Sequence, residues 1–120
     1  GLITGAKEGT ASSIVMINSS GERSVIHCFG SNNDFFFEEI DATVLHDKRI
    51  ILIAGTFLMP SFDGVSTESM LSLAKEYGLV CCMDTAWDSS GEWMKKIERT
   101  LKYLDWFMPS YDEAHALSGL

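Results

Sequence analysis

Ser110 and Glu113 bracket Tyr111 and Asp112 directly after the apolar run Trp106-Phe107-Met108 and Pro109. That order predicts a short strand that passes through a proline into a helix start, with a hydroxyl and two carboxylates at the turn. In an α/β sheet the carboxyl end of a strand, followed by a helix N-terminus, is where phosphates and other ligands collect. A second acidic group, Asp84 and Asp88 in Asp84-Thr85-Ala86-Trp87-Asp88, follows another apolar run. Asp84, Asp88, Asp112 and Glu113 are therefore expected along one edge of a sheet. Such a rim suits magnesium, which takes a few carboxylates together with phosphate oxygens and water, or a polar substrate. Each residue also has a plainer reading. Asp84 can cap or solvate a loop, and Asp88 can lead a helix. Ser110-x-x-Glu113 is the spacing of a capping box, which satisfies backbone donors without any ligand. For Glu113 the two roles are compatible if the backbone uses only one carboxylate oxygen.

Other residue types offer less. His27, His46 and His115 have no partner at metal or nucleophile spacing. Cys81 and Cys82 are adjacent in an expected strand, so their side chains point to opposite faces and share no tetrahedral site. With Cys28 they read as buried free thiols in a reducing compartment. No nucleophile elbow, G-x-x-x-x-G-K-[ST] loop or G-x-G-x-x-G loop occurs.

Nine Lys and Arg against seventeen Asp and Glu give a net charge of -8, and the basic residues are scattered, which argues against a nucleic-acid partner. The apolar run Ile50 to Ala54 is far too short for a membrane span, and Gly1-Leu2-Ile3-Thr4 lacks the features of a signal peptide. A soluble, cytoplasmic, globular protein is expected from these features and from 46% hydrophobic and 22% charged residues.

The elements that would position the acidic rim follow from periodicity. Residues 1–10 read as a loop. Ser12 to Ile17 and Arg23 to Phe29 form two strands around the turn Asn18-Ser19-Ser20-Gly21-Glu22, a hairpin with Val25, His27 and Phe29 on one face. Gly30-Ser31-Asn32-Asn33-Asp34 is a loop, and Glu38 to Asp47 a short helix. Arg49 to Ala54 reads as a strand buried on both faces of a parallel sheet. A helix over Ser66 to Tyr77 stops at Gly78, and Leu79 to Asp84 is the next buried strand. A second helix spans Gly91 to Leu104, with Met94, Ile97, Leu101 and Leu104 on one face. The strand before Ser110 and a helix from Tyr111 to Leu117 complete the pattern. Strands alternating with helices imply right-handed crossovers. The fold class is α/β: a Rossmann-like three-layer α/β/α arrangement with a mainly parallel sheet, plus a small β-hairpin lid.

Taken in order, these blocks resemble the ribokinase-like, or PfkB, family of carbohydrate kinases. Gly21-Glu22-Arg23 looks like the family's "dGER" lid turn, and Gly30-Ser31-Asn32 resembles its "GAN". Ile50-Ile51-Leu52-Ile53-Ala54-Gly55 is similar to its central strand, and Asp84-Thr85-Ala86-Trp87-Asp88 to its "D-x-N-x-R" loop. Pro109-Ser110-Tyr111-Asp112-Glu113-Ala114 with Leu117-Ser118-Gly119 looks like "P-N-x-x-E-A…L-T-G".

The resemblance implies ATP-dependent transfer of the γ-phosphoryl group to a sugar hydroxyl, with ATP and Mg2+ as cofactors. It implies that residues 1–35 are lid strands and a sugar-proximal loop, and that 36–120 are part of an α/β core. Gly30, Asn32 and Asp84 would lie near the substrate, Ser110 and Glu113 near the nucleotide, and Glu113 near the metal. Serine replaces the family's asparagine at 110, Ala86 that of the middle loop, and Asp88 its arginine. A negative charge at Asp88 would disfavour a sugar acid and suit a neutral sugar or nucleoside. The family's "GAGD" segment, with its catalytic aspartate, is expected downstream of Leu120, so these 120 residues alone are expected to be inactive. The lid's exposed apolar face suggests a homodimer. The alternative is a non-catalytic α/β binding or interaction domain in which Glu113 is only a cap.

Overall fold

The computed structural model describes residues 7–120. Strand β1 (Ser12–Ile17) pairs antiparallel with β2 (Arg23–Cys28), Ser13 opposite His27 and Val15 opposite Val25. Asn18 closes the turn: its side chain accepts from the backbone of Ser20 and Glu22 and donates to the Glu22 carboxylate. A 3-10 turn over Gly30–Asp34 follows.

The second sheet has three parallel strands in the order β3 (Ile50–Thr56), β4 (Val80–Thr85) and β5 (Trp106–Met108). Helix α1 (Val65–Glu76) connects the first two and buries Thr67, Met70, Leu71 and Ala74. It stops where Gly78 takes φ 74°, with Leu79 N bonded back to Ala74 O, because a left-handed residue after the last turn suits glycine. Asp105 ties the start of β5 to its neighbours, accepting from Cys81 N at 2.7 Å and from Lys75 Nζ at 2.5 Å. The lysine and the amide hold its carboxyl below the usual carboxylate range. Helix α3 (Tyr111–Ser118) follows β5 and ends at Gly119, φ 69°.

One face of the sheet carries the core. Ile53, Cys81 and Met83 pack with Met70, Leu71 and Ala74, joined by Phe62 and Leu45. A second cluster gathers Phe57, Ile97 and Leu117 against Phe107. Burying an aliphatic side chain of this size contributes about 1.5–3 kcal/mol, so these clusters fix where the strand ends lie.

Three expectations need correction. The aliphatic run of β3 is covered on one face only: Ile50 is 60% and Leu52 54% exposed, and Trp106 of β5, across β4 from Leu52, is 65% exposed. Glu38 to Asp47 is not one helix but two 3-10 turns, Phe37–Glu39 and Ala42–Leu45. Ile40 is extended between them, and the Asp41 side chain starts the second turn by accepting from Thr43 N at 2.9 Å. Gly91 to Leu104 is also broken, into α2 (Met94–Ile97) and a 3-10 turn over Leu101–Tyr103. Trp93 at φ 42° blocks an earlier start, and the Thr100 hydroxyl donates to Ile97 O at 2.6 Å, competing with the backbone ladder.

Candidate functional site at the strand ends

The capping box forms. Ser110 Oγ accepts from Glu113 N at 3.4 Å, and Ser110 N donates to Glu113 Oε2 at 2.8 Å. A third group joins it from the neighbouring strand: Thr85, buried at the end of β4, donates its hydroxyl to the same Oε2 at 2.8 Å. Glu113 is half-buried, and among the described residues both of its bonds converge on one oxygen. Its other oxygen has no hydrogen-bond partner among the described residues. Thr85 was not singled out by sequence reasoning. The available signal was a hydroxyl next to Asp84 at the end of an apolar strand, on the side where the capping glutamate had to lie.

The wider acidic rim does not assemble as a metal cage. Among the described residues no three Asp, Glu, His or Cys side chains come together to hold an ion. Asp84 is half-buried and pairs with Met108 across the sheet. Asp112 is exposed, in a shallow hollow of about 460 Å³ with Trp87, Tyr111 and His115.

Asp88 is only 3% exposed and is a structural carboxylate. Oδ1 accepts from Ser90 N, Ser90 Oγ and Lys96 Nζ, and Oδ2 accepts from Trp93 N at 2.7 Å. Burial pushes its carboxyl up, but these donors outweigh burial and hold it below the usual range. The negative charge expected to face a substrate is therefore neutralised inside the loop. The side chain presented instead is Trp87, 58% exposed. Trp93 packs edge-on to Trp87 at 4.9 Å and to Phe57 at 5.5 Å. The exit loops of β3 and β4 are thus joined by three aromatic rings.

Beneath the hairpin lies a cleft of about 310 Å³. The hairpin side supplies Ser13, Val25, His27 and Phe29, the face expected from alternation. The sheet side supplies Leu58, Ala86, Trp87 and Ser89, so the cleft spans the two exit loops. Gly30 and Asn32 hold these halves together. Gly30 is buried at φ 48°, and a Cβ there would sit 2.4 Å from Gly9 O and 2.9 Å from Ala11 N. Asn32 Nδ2 donates to Leu58 O at 3.0 Å, tying the loop after the hairpin to the exit of β3.

Asp63, at the other end of that exit loop, was also missed. Burial raises its carboxyl from 3.8 to about 6, against the backbone donors of Phe57 and Met59, with Lys96 and Asp88 as its charged neighbours. Its Oδ1 is buried without a partner among the described residues. A lone acid in a loop gives no periodic signal, so only the folded surroundings reveal it.

Comparisons with known proteins bear on the family and the fold. The family described as pfkB family carbohydrate kinase matches residues 2–120. Among solved structures, one from E. coli that carries the name Ribokinase II in its apo form superposes with a TM-score of 0.67 at 22% identity, over 95% of this chain and 39% of that one. A ribokinase from Thermotoga maritima gives 0.63 at 23% identity, over 92% of this chain and 33% of that one. At such identities the likeness shows the fold, and this chain spans between a third and two-fifths of the length of those structures. With the family matched over nearly every residue and the same parallel sheet and hairpin in its neighbours, the chain belongs to the pfkB family of carbohydrate kinases.

Proposed function

We propose that these residues serve an ATP-dependent kinase that transfers the γ-phosphoryl group to a hydroxyl of a carbohydrate-containing acceptor. The observation that carries this reading is Glu113, held by two donors on Oε2 with Oε1 left over, at the carboxyl end of the sheet. One remaining carboxylate oxygen suits magnesium, which takes most of its coordination from phosphate oxygens and water. Bound there, magnesium would neutralise charge on the phosphates. Ser110 and Thr85 would position Glu113 for it, and the α3 N-terminus adds a favourable field for an anion.

The acceptor would enter beneath the hairpin, between Gly30-Asn32 and Asp84. Residues 1–35, of which 1–6 lie outside the described residues, are proposed as its lid, and residues 36–120 as core. The base that takes the hydroxyl proton is expected in the family's "GAGD" segment, which is not among these 120 residues. The outer face of the lid is proposed as a dimer contact.

Glu113→Gln in the full-length protein tests the reading, because the amide keeps an acceptor for Ser110 N and Thr85 while removing the charge. ATP-dependent phosphorylation should fall about tenfold or more, with a higher magnesium requirement and little change in melting temperature. Unchanged turnover and magnesium dependence would reject the metal role and leave Glu113 as a cap alone.

A further inference from the structure

We propose that residues 57–63, the exit loop of β3, are a latch for the hairpin, closed while the Asp63 carboxyl is protonated and loosened when it ionises. Asp63 folds this loop back on itself. Its amide donates to Met59 O at 2.8 Å and its Oδ2 accepts from Met59 N at 3.3 Å, with Phe57 N as a further backbone donor nearby. Oδ1 is enclosed without a partner among the described residues. These residues themselves shut it off from solvent, so a donor from elsewhere could meet it only after the loop had moved. The charged groups that face it are Lys96 from α2 and Asp88 from the exit loop of β4. Lys96 Nζ already lies 3.2 Å from Asp88 Oδ1 and 4.0 Å from Glu92 Oε2, so its charge is shared with two other carboxylates. An ionised Asp63 therefore encloses a charged oxygen without a donor, whereas a proton on Oδ1 removes the charge and leaves Oδ2 to accept from Met59 N. The other end of the loop is strained too: Phe57 has φ 79° with its ring buried.

The hairpin is fastened to this loop. Asn32 Nδ2 donates to Leu58 O at 3.0 Å, Ser61 Oγ donates to Asn33 O, and Phe35 stacks on Phe62 with ring centroids 4.8 Å apart. All three contacts join the segment directly after β2 to positions inside the loop. A loop that opens to hydrate Asp63 therefore gives up the footing of the hairpin. The direction with pH follows from proton affinity. Burial raises the carboxyl from 3.8 to about 6, so the closed loop binds the proton more tightly than an opened, hydrated one. Opening is least below pH 3.8, grows as pH rises through that interval and levels off above about 6. The latch is independent of the kinase reading, since none of these contacts involves Glu113 or a nucleotide.

Hydrogen–deuterium exchange of the full-length protein at pH 5 and pH 7.5, corrected for the intrinsic exchange rate at each pH, tests the latch. Amides of residues 29–35 and 57–63 are expected to exchange about tenfold faster at pH 7.5 after that correction, while those of β4 change by less than about twofold. Asp63→Asn has no carboxyl to ionise, so its corrected rates at the two pH values should agree within about twofold. Equal corrected rates in the unmodified protein, or the same acceleration in Asp63→Asn, overturns the proposal. Should Asp63→Asn fail to fold, the double variant Asn32→Ala with Ser61→Ala decides, because it cuts the two hydrogen bonds and leaves the carboxyl in place. The latch predicts that residues 57–63 keep their response to pH in that variant and residues 29–35 lose it. Any other outcome overturns it.

Discussion

Three carboxylates in this chain show how one residue type takes different roles from its surroundings. Glu113 spends one oxygen on a threonine and a backbone amide and keeps the other. Asp88 spends both oxygens on backbone, hydroxyl and ammonium donors, so it serves the loop that carries Trp87. Asp63 is half-buried with its Oδ1 enclosed and unpartnered among the described residues, and its carboxyl is pushed up to about 6. The sign of its contribution to stability follows from that direction. With a folded value of about 6 and an ordinary value of 3.8, the folded state binds the proton more tightly, so this group destabilises the fold at neutral and alkaline pH. The penalty fades as pH falls from about 6 toward 3.8. Asp63→Asn is therefore expected to raise stability at pH 8 by up to about 3 kcal/mol and to give almost no gain near pH 4. Thermal melts of the two proteins across that range check it, and a gain independent of pH would show that Asp63 is not titrating there.

At the scale of elements, what was legible in the sequence was whatever periodicity decides. Strands β1 to β5 and helices α1 and α3 lie where alternation, aliphatic runs and stop residues put them, because side-chain burial and capping are local to those segments. The Gly91 to Leu104 stretch misled for a physical reason. Met94, Ile97, Leu101 and Leu104 keep their helical spacing, but 3-10 turns also bring residues three apart onto one side, and the bond from Thr100 Oγ1 to Ile97 O is invisible to periodicity. The role of Thr85 and the inward turn of Asp88 depend on partners in other segments, so spacing alone could not assign them. Gly30 lies between these cases: its loop was legible, its reason was not. The neighbouring backbone passes so close that alanine at φ 48° would need Gly9 or Ala11 to move. Gly30→Ala is expected to cost about 1–3 kcal/mol and to loosen the hairpin over the cleft. Denaturant melts, with proteolysis at the hairpin turn as a local probe, measure both effects. Unchanged stability and protection would mean the hairpin does not depend on that close approach.

Across the whole molecule the apolar surface is distributed unevenly. The radius of gyration is 15.4 Å, against about 13–14 Å expected for a compact domain of 120 residues, consistent with a hairpin that stands away from the sheet. Paired residues of a hairpin point to the same side. Val25 and His27 face the cleft, so Ile14, Met16 and Ile26 form the opposite, outer face. Ile14 is 64% and Ile26 58% exposed there. A contiguous apolar patch of this kind suits a contact, and the proposed occupant is a second copy's lid. Because a two-fold contact uses the same patch twice, one substitution changes it twice. Ile26→Lys would place two ammonium groups in the interface, and both strands would still pair through their backbones. Sedimentation of the full-length protein is therefore expected to give a dimer that Ile26→Lys converts to a monomer, with the melting temperature becoming independent of protein concentration. A monomer before substitution, or a dimer that survives it, would place the contact elsewhere and leave the outer face of the hairpin without this role.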